Sequence, residues 1–138
     1  MKIVIDTNIL LSALLRDSMT RRLLVELEHQ LYYPEMSFHE LRKHKDAVIE
    51  RSGMTAEGYD QCLTMLLKKI DLVSDEQLKP FIKEAEKLIA HRDPDDVVFL
   101  AAALSLSSAV IWSEDKDFEA QDKVTVLRTK DAVRLFED

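Results

Sequence analysis

The chain has 138 residues, of which 46% are hydrophobic and 33% charged, and its formal net charge is −7. This length and composition predict a single globular domain over residues 1–138 and exclude a disordered chain. The acidic balance argues against a surface coated in basic residues for unselective nucleic-acid binding, which depends on Lys and Arg.

Strands and helices alternate along the sequence. Continuous apolar, β-branched runs predict strands that are buried on both faces, and apolar residues that recur every three or four positions predict helices. The predicted elements, in chain order, are a strand at 2–6, helices at 8–15 and 18–30, a strand at 31–33, helices at 37–51 and 55–69, a strand at 70–73, a helix from 74 to about 91, a helix at 97–107, strands at 109–112 and 124–127, and a helix at 129–136.

Two of these helices carry further signals. Ser37 and Glu40 have the spacing of a capping box, which predicts the helix start there. The helix at 97–107 is too apolar and too small-sided for a surface position, so we expect it to be buried. Because strands alternate with helices, the sequence predicts an α/β fold, with a central parallel sheet of four to five strands and helices on both faces.

Four acidic residues stand where an apolar run stops or a helix begins: Asp6, Glu40, Asp96 and Asp115. In an open α/β sheet, ligands bind outside the carboxyl ends of the strands, so folding could gather these side chains into one pocket. Converging carboxylates repel one another by several kcal/mol per close pair unless protons or cations intervene. Oxygen-only ligands select hard cations, so the pattern predicts a Mg²⁺ or Mn²⁺ site.

Each acid also has a purely structural interpretation. Glu40 could complete the capping box, Asp96 and its neighbour Asp95 could favour the positive end of a helix dipole, and Asp115 could be a solvated turn residue. Asp6 is the hardest to explain in this way, because it directly follows a buried strand. The occurrence of all four acids at such positions favours a shared site.

Four sequence motifs resemble, in order and over nearly the whole chain, the successive motifs of the PIN domain family. They are Ile-Asp-Thr-Asn-Ile-Leu at 5–10, Ser-Phe-His-Glu-Leu at 37–41, Asp96 eight residues before Leu104 in the small-sided helix, and Trp-Ser-Glu-Asp-Lys-Asp-Phe at 112–118. The resemblance implies a three-layer α/β/α sandwich and a Mg²⁺- or Mn²⁺-dependent endoribonuclease. It further implies the toxin of a VapBC-type toxin–antitoxin pair, with an antitoxin partner and a homodimeric state.

The resemblance also assigns roles to individual residues. Asp6, Glu40, Asp96 and Asp115 match the family's catalytic, metal-binding acids. Asn8 and Ser113 match the polar residues that orient the first and last of these acids, and Asp117 is a supporting acid. Asp95 makes the third position ambiguous by one residue, and Glu114 adds a negative charge beside Asp115 that many relatives lack.

Basic side chains occur in two groups near these motifs. They are Arg16, Arg21 and Arg22 after the first helix, and Arg42 and Lys43 after Glu40. Both groups could border the acid pocket and hold RNA phosphates, and both are equally compatible with solvated helix faces.

The remaining signals mainly exclude alternatives. The lone Cys62 cannot form an internal disulfide, and no run approaches the roughly 18 apolar residues of a membrane span, so we expect a cytoplasmic protein. His44 follows His39 one residue too late for the zinc-protease motif H-E-x-x-H. Trp112 lies within an apolar strand and is predicted to be a core residue.

Two functional alternatives remain open. One is a noncatalytic PIN-like module that binds RNA or a protein, and the other is a structure-specific DNA nuclease, because the same metal chemistry cuts either backbone. Phosphotransferases of the haloacid-dehalogenase type do not fit, because Asn8 stands where they need a second Asp.

Overall fold

One parallel sheet forms the centre of the molecule. The computed structural model describes residues 1–15, 18–89 and 93–137, and within them five strands pair in the order β3-β2-β1-β4-β5, all parallel. The strands are β1 Lys2–Ile5, β2 Gln30–Pro34, β3 Ile70–Val73, β4 Ala109–Trp112 and β5 Val126–Leu127. The predicted parallel α/β sheet is confirmed.

Strand β1 lies in the middle of the sheet, where the direction of strand addition reverses. The chain first adds β2 and β3 on one side of β1, and later adds β4 and β5 on the other. Ile5 pairs with Trp112, so β1 and β4 end side by side. A crevice opens outside the carboxyl ends of strands at such a switch point, and ligands bind there.

Helices cover both faces of the sheet, as predicted for a three-layer α/β/α fold. They are α1 Thr7–Leu14, α2 Met19–Glu26, α3 Phe38–Ser52, α4 Ala56–Leu67, α5 Asp75–Leu78, α6 Ile82–Ile89, α7 Pro94–Ser105 and α8 Thr129–Glu137. Helices α1 to α4 pack on one another, α8 packs on α2, and α5 and α6 pack on α7. Right-handed crossovers put these two groups on opposite faces.

Three predicted helices differ from those in the structure. Helix α2 ends at Glu26 rather than residue 30, because Gln30 already pairs with Lys2 in the sheet. The predicted helix from residue 74 is interrupted by a 3₁₀ turn at Lys79–Phe81, because Pro80 lacks the N–H that an α-helix needs. Its predicted end near His91 lies outside the described residues.

The third difference concerns the start of α7. This helix begins at Pro94, three residues before the predicted start, because proline is well suited to the first helical position and Asp93 caps it through a 2.9 Å bond from Asp95 N. Asp95 and Asp96 therefore lie in the first turn of α7 rather than in a loop. At the other end of the chain, β5 has two residues instead of the predicted four.

Helix α7 packs directly on the central strands β1, β2 and β4. Leu100, Ala101 and Ala102 are fully buried, which confirms the predicted burial of this helix. Trp112 is also fully buried, as expected, and its indole Nε1 donates to Thr129 Oγ1 at 3.2 Å. Among the described residues, no helix has the length and apolarity to cross a membrane.

Candidate metal centre

All four predicted acids lie at the start of a helix or 3₁₀ turn. Asp6 caps α1, accepting a hydrogen bond from Ile9 N at 2.9 Å, while Glu40 and Asp96 lie in the first turns of α3 and α7. Asp115 precedes a 3₁₀ turn at 116–120 and accepts from Asp117 N at 2.9 Å. Helix N-termini carry partial positive charge, which offsets part of the repulsion among these carboxylates.

Ser113 connects the first and last acids across the switch point. Its hydroxyl donates to Asp6 Oδ2 and accepts from Asp115 N at 2.9 Å. The backbone N–H of Asp6 donates to Trp112 O at 3.3 Å, which closes the same link between the ends of β1 and β4. Residues more than a hundred positions apart in the sequence thus meet in one buried contact.

Asp96, Asp115 and Asp117 form the tightest group of carboxylates. Each offers an oxygen within 4.8 Å of the other two. Asp96 is only 7% exposed, and its buried Oδ2 has no hydrogen-bond donor within the described residues. Two ionised carboxylates can only accept hydrogen bonds, so an ionised Asp115 cannot satisfy this oxygen.

The neighbouring Asp95 points to a different group. It lies close to His39 and Glu40, with ligand atoms of the three residues within 4.8 Å of one another. Of the two adjacent acids that the sequence left ambiguous, Asp96 is therefore the one that joins Asp115.

Glu40 is held by a partner that the sequence did not reveal. Thr7 Oγ1 donates to Glu40 Oε1 at 2.9 Å and lies 2.8 Å from the hydroxyl of Tyr33, which donates to Ser37 O at 3.0 Å. The expected capping box is wrong, since the Ser37 hydroxyl makes no capping bond and Glu40 turns to Thr7 instead. Thr7 adjoins Asp6 in the first motif, but nothing in the sequence pointed to Tyr33.

This hydrogen-bonded chain has one hydrogen fewer than it has contacts. Thr7 gives its hydroxyl hydrogen to Glu40, so the single hydroxyl hydrogen of Tyr33 serves two contacts, with Thr7 Oγ1 and with Ser37 O. Burial raises the pKa of Glu40, and the hydrogen bond from Thr7 opposes this shift.

Burial also raises the pKa values of Asp6 and Asp96. For Asp6 the pKa rises to about 6, although the bonds from Ser113 and Ile9 oppose the shift. For Asp96 desolvation comes first and the nearby Asp115 second. The charged groups that perturb these two acids are all carboxylates, so the pocket favours bound protons or an added cation.

Comparison with known proteins agrees with this architecture. The PIN domain family model matches residues 4–132. The chain belongs to the PIN domain family. No curated protein gave a significant match.

Solved structures share this fold at low sequence identity. The PIN domain is similar to VapBC2 from Rickettsia felis bound to a promoter DNA fragment, with TM-score 0.70, 14% identity and coverage of 93% of this chain and 98% of that chain. It is also similar to VapBC-1 from nontypeable Haemophilus influenzae, with TM-score 0.66, 19% identity and coverage of 94% and 99%. FitAcB from Neisseria gonorrhoeae gives TM-score 0.62 at 19% identity, with coverage of 91% and 96%.

The donor set of this PIN domain fits a hard divalent cation. The candidate ligand atoms are carboxylate oxygens, one of them is buried without a hydrogen-bond donor, and burial and the neighbouring carboxylates raise the pKa of Asp96. Mg²⁺ and Mn²⁺ prefer such oxygen ligands.

Other predicted site residues of the PIN domain lie outside this group. Asn8 is exposed and lines the groove between α1 and α3, and no hydrogen bond joins it to Asp6 in the described part of the chain. Arg21 donates from Nε and Nη2 to the carbonyls of Ala13 and Leu15, at 2.6 and 2.8 Å, which caps the end of α1. Arg22 pairs with Glu26 at 3.4 Å.

Two of the remaining basic candidates face solvent. Arg42 and Lys43 are exposed on α3, and Arg16 lies outside the described residues. Their contact with RNA stays a prediction.

The negative charge of Glu114 is compensated by neighbouring residues. Its Oε1 accepts from Thr129 N at 2.6 Å and its Oε2 lies 3.5 Å from Arg128 Nη1. The hydrogen bond from Thr129 lowers the pKa of Glu114, with Arg128 adding to the effect. The extra charge that distinguishes this motif is therefore balanced locally.

Proposed function

We propose that this PIN domain is a Mg²⁺- or Mn²⁺-dependent endoribonuclease and acts as the toxin of a VapBC-type toxin–antitoxin pair. The observation that carries the proposal is the buried Asp96 carboxylate, which has an oxygen without a donor and faces Asp115 and Asp117. A group so placed is costly unless a cation compensates it.

The position of each acid suggests its role. Asp96, Asp115 and Asp117 would hold the ion, and Asp6 would complete its surroundings from the end of β1. When bound, such an ion supplies a more acidic water and neutralises charge on phosphoryl oxygens. Ser113 keeps Asp6 and Asp115 in fixed relative positions, and Thr7 holds Glu40 at the edge of the pocket.

Two lines support the biological setting. The family resemblance implies a ribonuclease toxin, and the fold matches VapBC and FitAcB structures over more than nine-tenths of each chain. An antitoxin partner and a homodimer are proposed on the same ground. Co-expression with the product of a small neighbouring reading frame, followed by co-purification and growth measurement, tests the pairing, and sedimentation tests the dimer.

The nuclease proposal is tested by Asp96→Asn, with Asp71→Asn as the matched control. Asp71 is an exposed carboxylate on β3, far along the sheet from the switch point. We expect Mn²⁺-dependent cleavage of single-stranded RNA to fall at least about a hundredfold in Asp96→Asn, because an inner ligand is lost, and to persist in Asp71→Asn.

The same assay separates the alternatives. Equal cleavage by Asp96→Asn and the parent chain would refute the assigned pocket. Cleavage of a DNA oligonucleotide of the same sequence, with RNA left intact, would favour the structure-specific DNA nuclease. RNA binding without turnover at any Mn²⁺ concentration would favour the noncatalytic module.

A further inference from the structure

A second group of metal-binding side chains lies beside the acid pocket. His39 and Glu40 at the start of α3 and Asp95 at the start of α7 each offer a ligand atom, and these atoms lie within 4.8 Å of one another. His39 Nε2 is 4.0 Å from Asp95 Oδ1. This group contains a nitrogen donor, whereas the inner group of Asp96, Asp115 and Asp117 contains only oxygen donors.

The orientation of His39 is fixed from outside the group. Its Nδ1 lies 2.9 Å from Met36 O, and a carbonyl can only accept, so Nδ1 carries the hydrogen. In the neutral ring, the lone pair on Nε2 then faces the Asp95 carboxylate. This is the usual support of a metal-binding histidine, which donates its other ring N–H to a backbone carbonyl.

The spacing leaves room for a small adjustment. Ligand atoms around a tetrahedral Zn²⁺ lie roughly 3.4 Å apart at normal bond lengths. The side chains of His39 and Asp95 are 56% and 48% exposed, so both can rotate to bring the ligand atoms closer by the roughly 0.6 to 1.4 Å that closure requires. Glu40 is already held through Oε1 by Thr7, and a carboxylate has a second oxygen to offer.

We propose that His39, Glu40 and Asp95 form a second metal site that takes borderline transition ions such as Zn²⁺, Co²⁺ or Ni²⁺. An imidazole with two carboxylates and open solvent positions suits these ions and discriminates against Mg²⁺, which prefers oxygen ligands. The partner of His39 is thus Asp95 on another helix, and the site does not depend on the excluded H-E-x-x-H spacing.

Occupation of this site would affect the acid pocket through Glu40. An ion bound by His39 and Asp95 would draw the Glu40 carboxylate toward them and away from Asp6, whose pKa Glu40 perturbs. Zn²⁺ would then inhibit cleavage that Mn²⁺ supports. This consequence rests on the proposed function, whereas the binding itself does not.

Binding is tested by calorimetric titration of the full chain with Zn²⁺ in excess Mg²⁺, which keeps the oxygen site filled. We expect one Zn²⁺ to bind and to shift the imidazole nitrogen resonance of His39 Nε2. His39→Gln and Asp95→Asn should each lose at least about tenfold in affinity, because each removes one of three ligands. His44→Gln is the matched control, an exposed histidine on the same helix, and should bind like the parent chain.

These binding measurements test the second metal site independently of nuclease activity. Unchanged Zn²⁺ affinity in both His39→Gln and Asp95→Asn, or no binding by the parent chain, overturns it. If Zn²⁺ binds as expected but Mn²⁺ supports no cleavage, the second site stands and the nuclease proposal fails. If both stand, Zn²⁺ should inhibit the parent chain at least about tenfold more strongly than it inhibits His39→Gln.

Discussion

Burial and hydrogen bonding have opposite effects on the pKa of Asp6, at the end of β1. Its carboxylate is only 4% exposed, and burial raises its pKa to about 6 despite hydrogen bonds from Ser113 and Ile9. The folded chain therefore binds a proton at pH values where the unfolded chain has released it. Between the ordinary Asp pKa of 3.8 and about 6, each increase in pH makes folding less favourable.

We predict that metal-free protein loses stability as the pH rises from about 4 to about 6. A shift of about two pKa units corresponds to as much as about 3 kcal/mol from Asp6 alone. The raised pKa values of Asp96 and Glu40 act in the same direction. Thermal unfolding at a series of pH values checks this, and Asp6→Asn should flatten the profile and raise stability at pH 7.

A pH profile of Asp6→Asn that matched the parent profile would contradict this account of Asp6. Asp71→Asn again serves as the control, because that exposed side chain is remote from the pocket and its loss should leave the profile unchanged.

Single residues of the site were predictable to different degrees. Asp6, Asp96 and Asp115 could be found because each follows a buried strand or begins a helix, which the sequence patterns mark. Tyr33 could not be found, because its role depends on a contact with Thr7 that exists only after β1 and β2 pair. The sequence indicates only a supporting role for Asp117, yet this residue lies in the tightest acid group because Asp115 caps its turn.

At the scale of elements, the two adjacent arginines of α2 have different roles. Arg21 reaches back to the carbonyls of Ala13 and Leu15 and closes the end of α1, whereas Arg22 makes an exposed i,i+4 pair with Glu26. The carbonyls at a helix C-terminus need donors, and the planar guanidinium can serve two of them at once.

We predict that Arg21→Ala lowers the free energy of unfolding by about 1–3 kcal/mol, because two hydrogen bonds from a charged donor are lost. Arg22→Ala should change it by less than about 0.5 kcal/mol, as for most exposed pairs. Arg21→Lys should recover little, since an ammonium lacks the fork. Urea unfolding checks all three, and equal effects of the two alanine variants would refute the capping role.

The elements themselves were mostly predictable, and their ends were not. The burial of β1 and β4 is predictable from their apolar runs. The burial of α7 is predictable from its small, apolar side chains. The ends depend on neighbours: Gln30 joins the sheet because Lys2 is beside it, and β5 is short because only two of its residues find partners on β4. Such pairing involves residues far apart in the chain, which local patterns do not encode.

At the scale of the whole molecule, the net charge of −7 is concentrated in part around one crevice. A cation that binds there stabilises the folded chain by mass action and also relieves the repulsion. At a hundredfold excess over its dissociation constant, a ligand adds about 2.7 kcal/mol. For a chain of this size, that is roughly 8 °C in melting temperature.

We therefore predict that saturating Mn²⁺ raises the melting temperature of metal-free protein by roughly 8 °C at pH 7. NaCl at matched ionic strength is the control, since it screens the net charge without occupying the site. Asp96→Asn should lose most of the increase, because it removes a ligand. An increase of the same size with NaCl, or in Asp96→Asn, would contradict specific binding at the crevice.

The strand order has a consequence for the timing of biosynthesis. Asp6 leaves the ribosome 107 residues before Ser113, the residue that links it to the last acid, and β1 lacks its β4 neighbour until then. No nascent fragment that ends before Asp117 can contain the assembled carboxylate cluster, because Asp117 belongs to it. On the proposed ribonuclease function, a growing polypeptide therefore cannot cleave the RNA around it until translation has passed that point.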